Sequence, residues 1–148
     1  EKAKKLFEES PFNKYFGPKK PQLLIITSSA CFLYSQEAIS MLGLQKRVGI
    51  LKLGCTWPLP TKLLKKYLRL TGKIMLVEEV LPFMEETIKV RAAGMPKEIG
   101  LKTFFGKIYK TLPAVGELNP DIICAALAKI MKARGDFIPL TYNRKCAN

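Results

Sequence analysis

Between residues 48 and 79 two unbroken apolar runs flank an amphipathic segment. The first run, 48–53, ends at Gly54, and the loop Cys55-Thr56-Trp57-Pro58-Leu59-Pro60 that follows cannot be helical before Thr61 because of its prolines. From Thr61 the pattern changes to a period of 3.6, with Leu63, Leu64, Tyr67 and Leu68 on one stripe and Lys62, Lys65, Lys66 and Arg69 facing away. Gly72 ends this helix, and residues 74–77 form the second apolar run, closed by Glu78 and Glu79. Strands without alternation are strands covered on both faces, so this stretch reads as a βαβ unit of a parallel sheet.

The same unit repeats on either side. Residues 23–26 predict a first strand, followed by a helix that Ser28 or Ser29 can cap and that carries Tyr34, Ala38 and Leu42 on one stripe beside Ile39 and Met41. Gly43-Leu44 suits a left-handed helix end. A helix beginning at Pro82 is expected to bury a broad face of Phe83, Met84, Thr87, Ile88 and Val90. A weaker strand covers 101–105, a loop covers 106–118, and Asn119-Pro120-Asp121 opens a last helix with Ile123, Leu127, Ile130 and Met131 inward. Four alternations of strand and helix predict a three-layer α/β/α domain with a mainly parallel sheet over 22–132. Residues 1–21, with three prolines and a glycine in their second half, read as a connector from a preceding domain, and 133–148 as a tail without period.

The chain has 148 residues, enough for one core without disulfides or metals. It begins with Glu, which suggests a fragment or a processed chain. Cys31, Cys55, Cys124 and Cys146 lack the close spacing of a metal or redox motif, so reduced thiols in a cytoplasm are expected. Lys19-Lys20 ahead of an apolar run imitates a signal peptide, but Thr27, Ser28 and Ser29 interrupt it, and no membrane span is expected. A net charge of +13 raises the question of nucleic acid. The lysines are spread over the termini and the outer faces of helices with no interleaved aromatics, so a solvated surface accounts for them better than a specific nucleic-acid site.

There is no histidine, which excludes Ser-His or Cys-His nucleophiles and His-based metal sites. Gly-rich phosphate fingerprints are absent. Capping serines account for Ser28 and Ser29 without a ligand, although an anion can meet a helix N-terminus there. Cys31 sits in the same turn and reads better as a core thiol than a reactive one. Glu78 and Glu79 are the most suggestive polar pair, because strand carboxyl ends face the crevice of an open α/β sheet. The same rule brings Trp57, after the second strand, to that edge. Ser28, Ser29, Trp57, Glu78 and Glu79 are therefore the candidate interdomain or ligand edge. No catalytic, cofactor-binding or metal-binding residue is expected.

The blocks ITSSACFLYSQEAI, VGILKLGCTWPLP, IMLVEEVLPFMEE and LPAVGELNPDII, in this order and spacing, resemble the transketolase-C-terminal-like domain of the 2-oxoacid:ferredoxin oxidoreductases, most nearly the large (alpha) subunit of the indolepyruvate type. ESPFN near the start resembles the connector from that subunit's first domain. Departures are Ser29 in place of glycine, Cys55 and Trp57 in place of threonine and tyrosine, and Leu81 in place of an acidic residue. The resemblance implies a parent enzyme using thiamine diphosphate, Mg²⁺ and [4Fe–4S] clusters, with a beta subunit and ferredoxin as partners, oxidatively decarboxylating an aryl 2-oxo acid with CoA. None of those cofactors is expected in this chain. Its role would be packing and positioning against the remaining domains, with a free-standing module for CoA or another phosphate-bearing ligand as the alternative and a basic nucleic-acid-binding domain behind it.

Overall fold

The computed structural model describes residues 2–133. The chain runs α1 (Lys2–Glu8), β1 (Lys14–Phe16), β2 (Leu23–Ser28), α2 (Ser29–Met41), β3 (Val48–Leu53), α3 (Thr61–Leu68), β4 (Lys73–Val77), α4 (Phe83–Ala93), α5 (Lys97–Gly100), β5 (Thr103–Phe105) and α6 (Pro120–Met131). The strands form one five-stranded sheet in the order β1-β3-β2-β4-β5, in which only β1 is antiparallel. The α/β fold with a mainly parallel sheet is thus as the sequence predicts.

Alternate residues of the central strands feed two cores. Leu23, Ile25, Val48, Ile50, Met75 and Val77 point toward α2 and α6, while Leu24, Ile26, Leu51, Leu53, Ile74 and Leu76 point toward α3, α4 and α5. This is why the runs show no alternation: both faces of each strand are dry. α3 buries Leu64 and Leu68 and leaves its lysines outward. Asn119 accepts a 2.9 Å bond from the Ile122 amide and caps α6. Gly43 takes φ +62 after α2, and Leu44 beyond it is buried.

Three expectations are corrected. Residues 14–16, expected to be irregular, form the edge strand β1, with Tyr15 packed over Gly49, which has no side chain to obstruct it, and stacked on Tyr67 of α3 at 5.0 Å. The segment before it is fastened as well: the Glu8 carboxylate accepts from the amides of Lys62 and Leu63 at 2.8 and 2.9 Å and so caps α3. Second, α4 buries Met84, Glu85, Ile88 and Ala92, whereas Val90 and Phe83 are exposed. A polar residue takes the inward position because Glu85 Oε2 accepts from the amides of Lys107 and Ile108 at 2.8 and 3.2 Å, an arrangement that helical periodicity cannot register. Third, Ser28 occupies the N-cap position of α2 without a side-chain cap bond. The expected tail, from residue 134 on, lies outside the described residues.

Candidate functional site

Because β2, β3 and β4 are parallel, their carboxyl ends emerge on one side of the sheet. From β2 the chain turns to α2 on one face, and from the adjacent β4 it turns to α4 on the other. Two neighbouring connections that part to opposite faces open a crevice between them. A cleft of about 440 Å³ lies there, lined by Ser28, Ser29, Ala30, Cys31, Thr56, Glu78, Glu79, Leu81, Phe83 and Met84.

The structure brings four of the five candidate residues, Ser28, Ser29, Glu78 and Glu79, into this lining. Trp57 joins the same edge through Phe83, with the rings 5.6 Å apart in an edge-to-face arrangement. It is 65 % exposed. Its loop is tied by the Cys55 thiol, which donates to the Trp57 carbonyl at 3.0 Å.

The two glutamates have different situations. Glu78 Oε2 accepts from the Met84 amide at 2.7 Å and Oε1 from the Glu85 amide at 2.8 Å. It is the cap of α4, whose own N-cap position holds Pro82 and makes no side-chain bond. Burial pushes the Glu78 carboxyl above its ordinary value, against the two amides, which favour the charged form; the neighbouring Glu85 raises it further and Lys107 opposes. Glu79, by contrast, is exposed and carries the charge available to a visitor.

Sequence reading missed the residues beneath this edge. Lys107, only 4 % exposed, donates from Nζ to the Val80 carbonyl at 2.9 Å. Val80 has φ +59, a left-handed conformation that a β-branched residue adopts only under strain. Glu85 and Gly106 complete the underside, since any side chain at Gly106 would meet the Glu85 carboxylate. On the α2 side Ser29 has φ +52, a conformation natural to glycine. Cys31 is buried, and desolvation, with Glu79 and Glu78 adding and Lys107 opposing, pushes its thiol up to about 11. That is the opposite of an activated nucleophile.

Cys31 and Cys124 are buried on α2 and α6, Cys55 lies in the Trp57 loop, and among the described residues no three metal-ligating side chains converge. No helix among them is long and apolar enough to cross a membrane.

No family model matches the chain. Individual proteins do: it is 36 % identical over 112 residues to the indolepyruvate oxidoreductase subunit IorA of Pyrococcus abyssi, covering 74 % of this chain and 17 % of that subunit. The IorA subunits of Methanothermobacter thermautotrophicus (32 % over 127 residues) and Thermococcus kodakarensis (38 % over 134 residues) match 85 % and 88 % of the chain and 20 % of their own length. The chain belongs to the IorA family. It spans about a fifth of its IorA relatives and corresponds to one domain-sized piece of them. Within that piece the edge around Glu78 and Glu79 brings polar, aromatic and strained features together.

Proposed function

We propose that this IorA-like chain is a non-catalytic positioning domain of a thiamine-diphosphate-dependent 2-oxoacid:ferredoxin oxidoreductase of the indolepyruvate type. The parent would decarboxylate an aryl 2-oxo acid oxidatively to the acyl-CoA in the cytoplasm. Thiamine diphosphate, Mg²⁺ and [4Fe–4S] clusters would be held by its other segments, with a beta subunit and ferredoxin as partners. Ser28, Ser29, Trp57, Glu78 and Glu79 would form the edge that meets those other parts. The observation that carries this reading is the identity to IorA along most of the chain, combined with an α/β unit in which Glu78, Glu85 and Cys31 are committed to its own scaffold. Glu78 caps α4, Glu85 holds the 107–108 backbone, and Cys31 is a core thiol.

The chain alone, supplied with indolepyruvate, thiamine diphosphate, Mg²⁺ and CoA, is expected to give no substrate-dependent dye reduction. Turnover above background would refute the assignment.

A second reading, a module for CoA or another phosphate-bearing ligand, draws support from the N-terminus of α2, which opens into the cleft without a side-chain cap. Glu78 and Glu79 line the same cleft and oppose a phosphate there, so the positioning role is preferred. A nucleic-acid role ranks last, because the lysines of α3 point outward as an ordinary solvated face.

A further inference from the structure

We propose that the cleft edge is a docking surface for another domain of the same subunit, one that presents a basic side chain to Glu79 and an apolar pocket to Leu81. The proposal rests on the reading above that the chain is one domain of a longer subunit.

The surface is apolar and already shaped. Trp57, Val80, Leu81 and Phe83 all stand exposed around the mouth of the cleft, Val80 and Leu81 being 74 % and 71 % accessible. Val80 and Leu81 occupy the tip of a turn that is held from several directions. Lys107 grips the Val80 carbonyl, Glu78 clamps the first amides of α4, and the Phe83 amide donates to the Leu81 carbonyl at 2.8 Å. A strained turn that holds two apolar side chains in water is costly for a free surface. It is favourable for one that must meet a partner without reorganising. Trp57, braced edge-on by Phe83, adds a large aromatic group of the kind that dominates interface energies.

Charge selects the occupant. The chain carries +13, yet the charged side chains lining the cleft are Glu78 and Glu79. Both oxygens of Glu78 are occupied by backbone amides, which leaves Glu79 to meet a lysine or arginine. A second copy of this chain fits poorly: a two-fold contact would set one acidic edge against the other, and two molecules of this net charge repel. A domain in the same polypeptide has the advantage of high effective concentration, and about four-fifths of the length of the IorA relatives lies outside the matched segment.

The test is made in the full natural polypeptide, with a benzophenone amino acid at Leu81 and, as control, at Val115, an exposed loop residue. Irradiation followed by peptide mapping is expected to join position 81 to a segment of the same polypeptide beyond this domain. Position 115 should give little. Glu79→Lys should lower the yield at position 81 by about tenfold through like-charge repulsion. A cross-link to a second copy or to another subunit, no cross-link at all, or equal yields from the two positions would overturn the proposal. Intact mass tests the underlying reading separately: a native polypeptide no longer than this chain would end the domain assignment itself.

Discussion

The Lys107 ammonium donates to the carbonyl oxygen of Val80 across 2.9 Å, joining a residue predicted to lie in a plain loop to the tip of the turn after β4. The bond is almost wholly buried at its lysine end, while the Val80 side chain stands in solvent. A buried lysine thus supports a surface feature. Lys107→Met keeps most of the aliphatic bulk and removes the donor. Denaturant unfolding is expected to show a loss of about 1.5–3 kcal/mol, the usual contribution of a hydrogen bond to a charged group. A change below about 0.5 kcal/mol would mean that the ammonium does not brace the turn.

Trp57 supplies the complementary case. With its ring largely exposed and its main partner Phe83, Trp57→Ala should cost the isolated chain less than about 1.5 kcal/mol, the range of a single aromatic pair. Truncating a buried tryptophan costs about 3–5 kcal/mol. A loss of that size in a thermal melt would make Trp57 a core residue and remove the main anchor from the edge.

Glu78 predicts a pH dependence with a definite sign. Its folded pKa is raised above the ordinary 4.5, so in the window that begins there the folded chain holds more protons than the unfolded chain. Stability therefore falls as pH rises through that window, and the contribution of this group is most favourable below it. Glu78→Gln should flatten the stability curve between pH 4.5 and the folded pKa, even though it weakens the cap of α4. A variant with the same slope as the parent would assign that slope to other carboxyl groups.

Cys31 offers a chemical readout. With the thiol at about 11 against an ordinary 9.0, its thiolate fraction at pH 8 is about 100-fold lower than that of a free cysteine. Iodoacetamide at that pH should label Cys31 at least that much more slowly in the folded chain than in denaturant, with burial adding further delay. Cys55, which is only partly buried, should react first of the three described cysteines. Rapid labelling of Cys31 would mean that the α2 turn opens readily to water.

The layered fold was legible because strands covered on both faces need apolar residues at every position, and that demand is written locally. The cap at Asn119 was legible for the same reason: all its parts lie within four residues. What escaped notice depends on distant partners. Glu85 turns inward for amides 22 residues ahead, displacing Val90 from the expected buried face. Ser28 makes no cap bond, and the neighbouring Ser29 adopts a glycine-like conformation. The parallel-strand rule placed Trp57, Glu78 and Glu79 at one edge. It could not distinguish the glutamate bound to a helix from the one left free, because that depends on which way α4 leaves the strand.

β1 covers what would otherwise be the outer margin of β3, whose sequence Val-Gly-Ile-Leu-Lys-Leu combines apolar character with open backbone donors and acceptors. Bare strands of this composition recruit other strands, and proteins protect them with short, twisted or charged neighbours. Lys14-Tyr15-Phe16, three residues long and antiparallel, has those properties. Anyone who excises the sheet at its first long strand removes this guard together with the Glu8 latch on α3. The folded unit includes its modest N-terminal helix, well ahead of the residue at which its core begins.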